Sequence, residues 1–365
     1  MKAFFVKHKK LHIWLLADVF LLAAYFLCRE NRNWMNFWTE EITTPLKRAI
    51  GQVCYLTEVS VMEVMCVLAV LACVAYVILA VRTLMRAKGH RRSCAYGAAM
   101  GAVCIGLSVY AGFCLMWGAN FWADSFQEKS GIYAEPVAPE ELLEVTIYFA
   151  QQLYQAADDV ARDENGLFAV PREEILEKAP HAYDAVEQQF PFMEFDDPGV
   201  KAMAFSRLMS RMDFTGFYCS WTGESNVNVD SPANMLASTI SHELAHQRGI
   251  ASEQECNFLA VLAATTCGDP VYAYSGWLMG YIHVSNALYR LSPDIYWAIR
   301  DQLPDSVKAD LAYNTAYWDQ FRDTAVQAVS TKVYDGLLKS YGDERGIQSY
   351  GTAVDMLVAY YKNQI

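Results

Sequence analysis

The hydrophobic pattern divides the chain into two unlike parts. In the first third, apolar residues come in long runs at 11–28, 59–81 and 95–117. Each run is about long enough to cross a hydrocarbon core, which predicts three transmembrane helices. The first follows Lys2, Lys7, Lys9 and Lys10 and runs into Tyr25, Phe26, Leu27, Cys28 and Arg29 rather than small residues. It therefore reads as a retained helix and not as a cleaved signal. Beyond residue 124 the apolar positions recur with helical spacing. Residues 139–162 and 172–189 open on acidic turns, Pro139-Glu140-Glu141 and Pro171-Arg172-Glu173-Glu174, and a turn at Asp196-Asp197-Pro198-Gly199 precedes a helix near 200–211. Further helices are expected near 271–291, 293–302, 305–339 and 349–362. Only Phe214 to Val229, aromatic and β-branched around a Thr-Gly-Glu turn, reads as a strand pair. The expected fold is mostly α with minor β: a membrane anchor over 1–123 and a second domain over 124–365.

Charge adds an orientation. The basic residues of the anchor cluster at the N-terminus and in the loop containing Arg82, Arg86, Lys88, Arg91 and Arg92, both of which should stay cytoplasmic, so the chain beyond residue 124 is expected to be extracytoplasmic. Residues 1–123 carry 13 Lys+Arg against 6 Asp+Glu, leaving 16 against 35 for residues 124–365. An outer domain this acidic argues against nucleic acid or an anionic membrane surface as its partner, and the lipid bilayer is the anchor's. The loop from Glu30 to Glu58, with Trp34, Phe37 and Trp38, is expected along the outer membrane surface. Asp18 and Glu63 fall inside predicted spans; Glu63 is close enough to a helix end to reach the interface, and Asp18 is read as protonated or paired across helices. Of ten cysteines, Cys219, Cys256 and Cys267 lie in the outer domain, without CxxC spacing, which argues against cysteine ligation of a metal.

The candidate chemistry lies in Ser241-His242-Glu243-Leu244-Ala245-His246-Gln247-Arg248-Gly249-Ile250-Ala251-Ser252-Glu253-Gln254-Glu255-Cys256-Asn257, which contains HExxH. On a helix, His242 and His246 are one turn apart on one face, so two imidazoles can bind one Zn²⁺ while Glu243 holds a water. Ser231 and Pro232 are read as the start of that helix and Gly249 as its end, with Arg248 favourably placed against the dipole. Ser252 should cap the next helix, with Glu255 completing a capping box and Glu253 left as the third metal ligand. The competing assignment exchanges Glu253 and Glu255. Asn257, one turn beyond Glu253, is placed to orient Glu253 or a ligand histidine.

These residues also carry a resemblance. The run HELAHQRGIASEQECNFLA resembles the HELAHQ and ExEANF block of an uncharacterised family of bacterial multi-pass membrane proteins with a zincin-like C-terminal domain. Gly216-Phe217-Tyr218, Thr222 to Asn228, and Gly346-Ile347-Gln348-Ser349-Tyr350-Gly351 are similar to other blocks of that family. Cys256 stands where the pattern has Ala. The resemblance implies a zincin-like fold for the outer domain. The ExEAN pattern is also similar to the third-ligand motif of other zinc peptidases, which favours Glu253.

The expected function is a membrane-anchored zinc metallopeptidase in which His242, His246 and Glu253 hold Zn²⁺ and Glu243 acts as general base. The substrate would be a peptide, a protein segment or a cell-wall peptide. Tyr350 is the candidate for polarising the substrate carbonyl, by analogy with other zinc peptidases. Glu224 and Asn226 either contact substrate or make turn and strand-end hydrogen bonds, and His283 is read as a core or supporting group rather than a ligand. The rival reading is a non-catalytic zinc-stabilised sensor or scaffold, which would have no need of Glu243. A protease with its site inside the membrane is excluded, because residues 232–248 are too polar to cross a bilayer.

Overall fold

The computed structural model describes residues 6–340 and 350–365, with the side chains of 337–340 and of position 350 outside that description. The chain forms two compact units, Met1–Lys47 with Val61–Ala123, and Arg48–Ser60 with Asp124–Ile365.

The first unit is built on α1 (Lys9–Cys28), α2 (Arg32–Phe37), a π-helical turn over Trp38–Thr43, the start of α3 (Thr44–Cys54), α4 (Val61–Arg86) and α5 (Arg91–Met116). Helices α1, α4 and α5 are long and apolar enough to cross a membrane. Each overlaps its expected run, but α4 continues through Arg82 to Arg86 and α5 begins at Arg91, so most of the expected basic loop is helical. Arginine is a good helix former, and a hydropathy limit therefore stops short of the helix end. Polar contacts join α1 to α5: His12 Nε2 lies 2.6 Å from Tyr96 Oη, and Ser108 Oγ donates to Asp18 Oδ1 at 2.9 Å. Asp18 is thus paired across helices, which spares a buried polar group the loss of its hydrogen bonds. Glu63 is buried in the first turn of α4.

The second unit contains α6 (Phe126–Ser130), α7 (Pro139–Ala156), α8 (Arg172–Glu177), α9 (Asp184–Gln189), β1 (Lys201–Ala202), α10 (Ser206–Arg211), β2 (Gly216–Cys219) and β3 (Glu224–Val227). Then come α11 (Leu236–Gln247), α12 (Glu253–Thr266), α13 (Pro270–Leu291), α14 (Pro293–Asp301), α15 (Asp305–Asp319), α16 (Ala325–Ser340) and α17 (Tyr350–Tyr361). Helix α12 is central. Its residues from Gln254 to Ala264 are all buried, which is why Phe258 to Ala264 are apolar on every face. It packs between α11 and α13, with α17 also against it and α7 across α13. Phe149 of α7, Trp277 of α13 and Tyr361 of α17 close the core edge to face, with centroids 5.3 Å and 4.9 Å from Phe149. Such pairs contribute about 0.5–1.5 kcal/mol beyond their buried area.

Two expected helices are interrupted. The 172–189 helix breaks into α8 and α9 around a 3₁₀ turn at Ala179–His181, where Pro180 cannot donate to the helical ladder. The 305–339 helix breaks between α15 and α16, where Asp323 adopts φ 57°, a left-handed conformation aspartate tolerates. The sheet has the order β1-β3-β2, with β2 and β3 as the expected antiparallel pair. The parallel strand β1 falls at the start of the stretch expected to be helical; two residues offer no periodicity to detect.

The segment expected along the membrane surface is helical over α2 and α3, and its part Arg48–Ser60 packs within the second unit. Lys201 shows why. Its Nζ donates to Glu224 Oε1 at 2.5 Å, to the Cys54 carbonyl at 2.8 Å and to the Val59 carbonyl at 2.9 Å, so all three ammonium protons are used. Lys201 is 4% and Glu224 0% exposed. Nearby, Tyr55 Oη donates to the Gly199 carbonyl and accepts from Ser225 N–H, each at 3.0 Å. Lys201→Met alone should destabilise the detergent-solubilised chain by about 3–5 kcal/mol, because the buried Glu224 carboxylate loses its cation. Lys201→Met with Glu224→Met should recover most of the loss in a thermal unfolding measurement.

Candidate metal centre

Helix α11 carries the HExxH residues on its last turns, as the spacing predicts. Its start differs from expectation. Ser231 donates its hydroxyl to the Asn228 carbonyl at 2.7 Å instead of capping the helix, and a 3₁₀ turn at Ala233–Met235 leads into Leu236. Its end is as expected: Gly249 has φ 90°, a conformation that a side chain would strain, and its N–H reaches the His246 carbonyl at 2.9 Å. Arg248 is buried against the carboxylates of Glu187 and Asp197, with its guanidinium 4.0 Å from the centroid of the Tyr183 ring. That anchors the C-terminal end of α11.

The turn at Gly249 brings the chain back under the second histidine. His246 Nδ1 lies 2.8 Å from the Ile250 carbonyl, which can only accept, so the ring carries its proton on Nδ1. His242 Nδ1 lies 3.0 Å from Asn257 Oδ1 and is held in the same way. Both rings therefore present Nε2. These two atoms are 3.2 Å apart, and Glu253 places Oε2 3.2 Å from His242 Nε2 and Oε1 3.5 Å from His246 Nε2. Asn257 thus supports a histidine, one of the two roles its position allowed.

Glu253 and Glu255 have different partners. Ser252 caps α12 as expected, but Glu255 does not return a capping bond; its carboxylate accepts from Phe126 N–H and Gln127 N–H at 3.1 Å each and from Gln127 Nε2 at 3.2 Å. It closes the N-terminus of α6 instead. Cys256 places Sγ 3.3 Å from His246 Nδ1, and the donor atoms of His242, His246 and Cys256 all lie within 4.8 Å of one another. This group could hold a metal ion.

Glu243 lies beneath the histidines and against the edge strand β2. A Cβ on Gly216 would fall 2.4 Å from Glu243 Oε1 and 2.6 Å from its Cγ, so the strand approaches the carboxylate this closely only because Gly216 has no side chain. Glu243 Oε2 is buried and has no hydrogen-bond partner among the described residues. Burial raises the Glu243 pKa above the usual carboxylate value, against the neighbouring histidines and the Tyr218 amide, which lower it. Burial also opposes charge on Glu253, but His246 and His242 hold its carboxyl well below the usual range. For His246, burial is outweighed by Cys256 and Glu253, and its pKa lies well above the usual histidine value. Since burial pushes the Cys256 thiol itself up to about 12, the anion beside His246 at neutral pH is Glu253.

The remaining candidates sort as follows. His283, on α13, is lowered to about 4 by burial and by the His242 ring, so it is a neutral group near the site and not a member of the His242/His246/Cys256 group. Glu224 and Asn226 are wholly buried; Glu224 pairs with Lys201, and Asn226 Nδ2 donates to the Phe217 and Glu224 carbonyls. They support the hairpin. The side chain of Tyr350 lies outside the described residues. A different tyrosine reaches the site: Tyr334 of α16 donates its hydroxyl to Glu253 Oε1. No motif surrounds it, and only the fold brings it 81 positions back along the chain.

Residues 38–358 match the family model described as Protein of unknown function (DUF3810). The chain belongs to the DUF3810 family. No curated protein and no solved structure matches it. The description of the DUF3810 family carries no activity, and the chemistry follows from the residues above.

Two outcomes follow from the buried carboxylate. Gly216→Ala should destabilise the chain by about 1–3 kcal/mol by overpacking Glu243, measured by chemical unfolding. In metal-free protein, Glu243 binds its proton more tightly folded than unfolded, so its contribution is fully present below the ordinary value of 4.5 and is lost as pH rises through the elevated folded pKa. Glu243→Gln should accordingly be more stable than wild type at pH 7, with the difference shrinking to nothing as pH falls below 4.5. Unfolding midpoints across that range in a chelator-containing buffer would show it.

Proposed function

We propose that this DUF3810 chain is a membrane-anchored, zinc-dependent metallopeptidase. The observation that carries the reading is the pair of imidazoles with Nδ1 committed and Nε2 atoms 3.2 Å apart, closed by a carboxylate. With Nδ1 committed on both rings, the two Nε2 atoms face one point beside a carboxylate, an arrangement that binds a single shared cation.

The metal would be held by His242 and His246 through Nε2 and by Glu253. Cys256 is the weaker third ligand on two grounds. Its Sγ is close to His246 Nδ1, at the opposite edge of the ring from Nε2, and its thiol keeps its proton at neutral pH. A His/His/carboxylate set suits Zn²⁺. Bound there, the ion supplies Lewis acidity toward water and toward a carbonyl.

The chain's own residues do the rest. Glu243, raised above the ordinary carboxylate value, takes the proton of the attacking water and returns it to the leaving amine. Its burial beside Gly216 fixes where that proton is exchanged. β2 is an edge strand, so its outer side offers backbone groups to an extended peptide, and Phe217 is 43% exposed on it. The proposed substrate is a peptide, a protein segment or a cell-wall peptide in the extracytoplasmic space, the orientation resting on the basic residues of the anchor. A scaffold whose zinc only holds helices together gives no use to a buried, unpartnered Glu243 Oε2.

The full-length chain in detergent should contain one zinc per molecule. His242→Ala and Glu253→Ala should lose it, while Glu243→Gln and Cys256→Ala keep it. Against a peptide library, Glu243→Gln should reduce turnover by about 10²–10⁴-fold. Metal retained by Glu253→Ala and lost by Cys256→Ala would transfer the third ligand to Cys256, and absence of stoichiometric metal from the wild type would sink the hydrolase reading.

A further inference from the structure

None of the described side chains of α16 is fully buried. Val326, Val329 and Val333 on it are 49%, 65% and 68% exposed, so among its described side chains these valines do not form a docking face. Its described side chains meet the domain through polar and aromatic contacts. Gln327 Nε2 donates to Asp213 Oδ2 at 3.4 Å, the Tyr334 ring meets Phe214 edge to face with centroids 5.3 Å apart, and the Tyr334 hydroxyl donates to Glu253 Oε1. Asp213 and Phe214 lead directly into β2. Tyr334 thus joins a sparsely packed helix, the approach to the edge strand and the carboxylate beside both histidines.

We propose that Tyr334 is a positioning residue that holds Glu253 for metal binding, so that docking of α16 and occupancy of the metal site favour one another. The inference rests on the metal-site reading above. Glu253 has two oxygens directed at the histidines, and a donor fixed on Oε1 orients the carboxylate with Oε2 toward His242 Nε2. Removing it frees a rotor that the metal must then order itself; partners of this kind contribute 10–100-fold to metal affinity. Because binding free energies are reciprocal, whatever the docked tyrosine adds to metal affinity the metal must add to docking.

The test uses the full-length chain in detergent, with zinc as the only probe. Tyr334→Phe keeps the ring against Phe214 and deletes only the hydroxyl. Zinc affinity, measured by competition with a chromophoric chelator, should fall 10–100-fold while the unfolding midpoint of the metal-free variant stays at the wild-type value. Hydrogen exchange supplies a second readout: zinc should slow the amides of Ala325–Ser340 in wild type and leave them unchanged in Tyr334→Phe. Phe214→Ala, which retains the hydroxyl but removes the ring it leans on, should lose less affinity than Tyr334→Phe. Equal zinc affinity in wild type and Tyr334→Phe, or equal slowing of α16 by zinc in both, overturns the proposal and leaves the metal site standing. A wild-type chain that binds no zinc overturns the metal-site reading first.

Discussion

Two imidazole nitrogens 3.2 Å apart, each with its opposite edge tied to an acceptor, are the constraint around which the second unit is arranged. The tie on His246 exists because Gly249 turns the chain so that the Ile250 carbonyl returns to Nδ1. The tie on His242 exists because Ser252 starts α12 in a phase that brings Asn257 under the ring. One helix, one left-handed turn and one capped helix therefore set both tautomers. The burial of α12 on all sides then keeps that geometry from relaxing, since neither helix can shift without opening the core.

What local physics controls was readable before the fold was known. The one-turn spacing of His242 and His246, the glycine after Arg248 and the serine before Glu253 each act within a few residues, and each is found where the pattern put it. The three apolar spans and the strand pair around Thr-Gly-Glu are legible for the same reason. Ser231 shows the limit of that logic. It has the right residue type for a cap, but the Asn228 carbonyl takes its hydroxyl first.

The features that escaped depend on distant segments. Glu255 looks like half of a capping box until α6 arrives with two unsatisfied amides from more than a hundred residues upstream. Lys201 looks like an ordinary surface lysine, and only the return of residues 54 and 59 adds two carbonyl acceptors to the Glu224 carboxylate. Tyr334 lies in a helix with no distinctive spacing. The division between Glu253 and Glu255 follows directly from these distant partners: amides claim one carboxylate, histidines the other.

Glu243 bears on why such a site would exist at all. A carboxylate in this position, with Oε2 buried and unpartnered, is unfavourable for the folded state, and a neutral or apolar residue would relieve it. The surroundings relieve it only in part, since burial outweighs the histidines that favour the charge. β2 approaches at Gly216 without a side chain, the strand adds a single amide from Tyr218, and the neighbouring Glu253 opposes the charge further. Functional sites are where a fold retains such local conflicts, because a group with an elevated pKa beside a cation site is one that can accept a proton and give it back. Under the hydrolytic reading proposed above, the site differs from a structural one in what it tolerates rather than in what it binds, whichever of Glu253 and Cys256 completes the metal's ligand set.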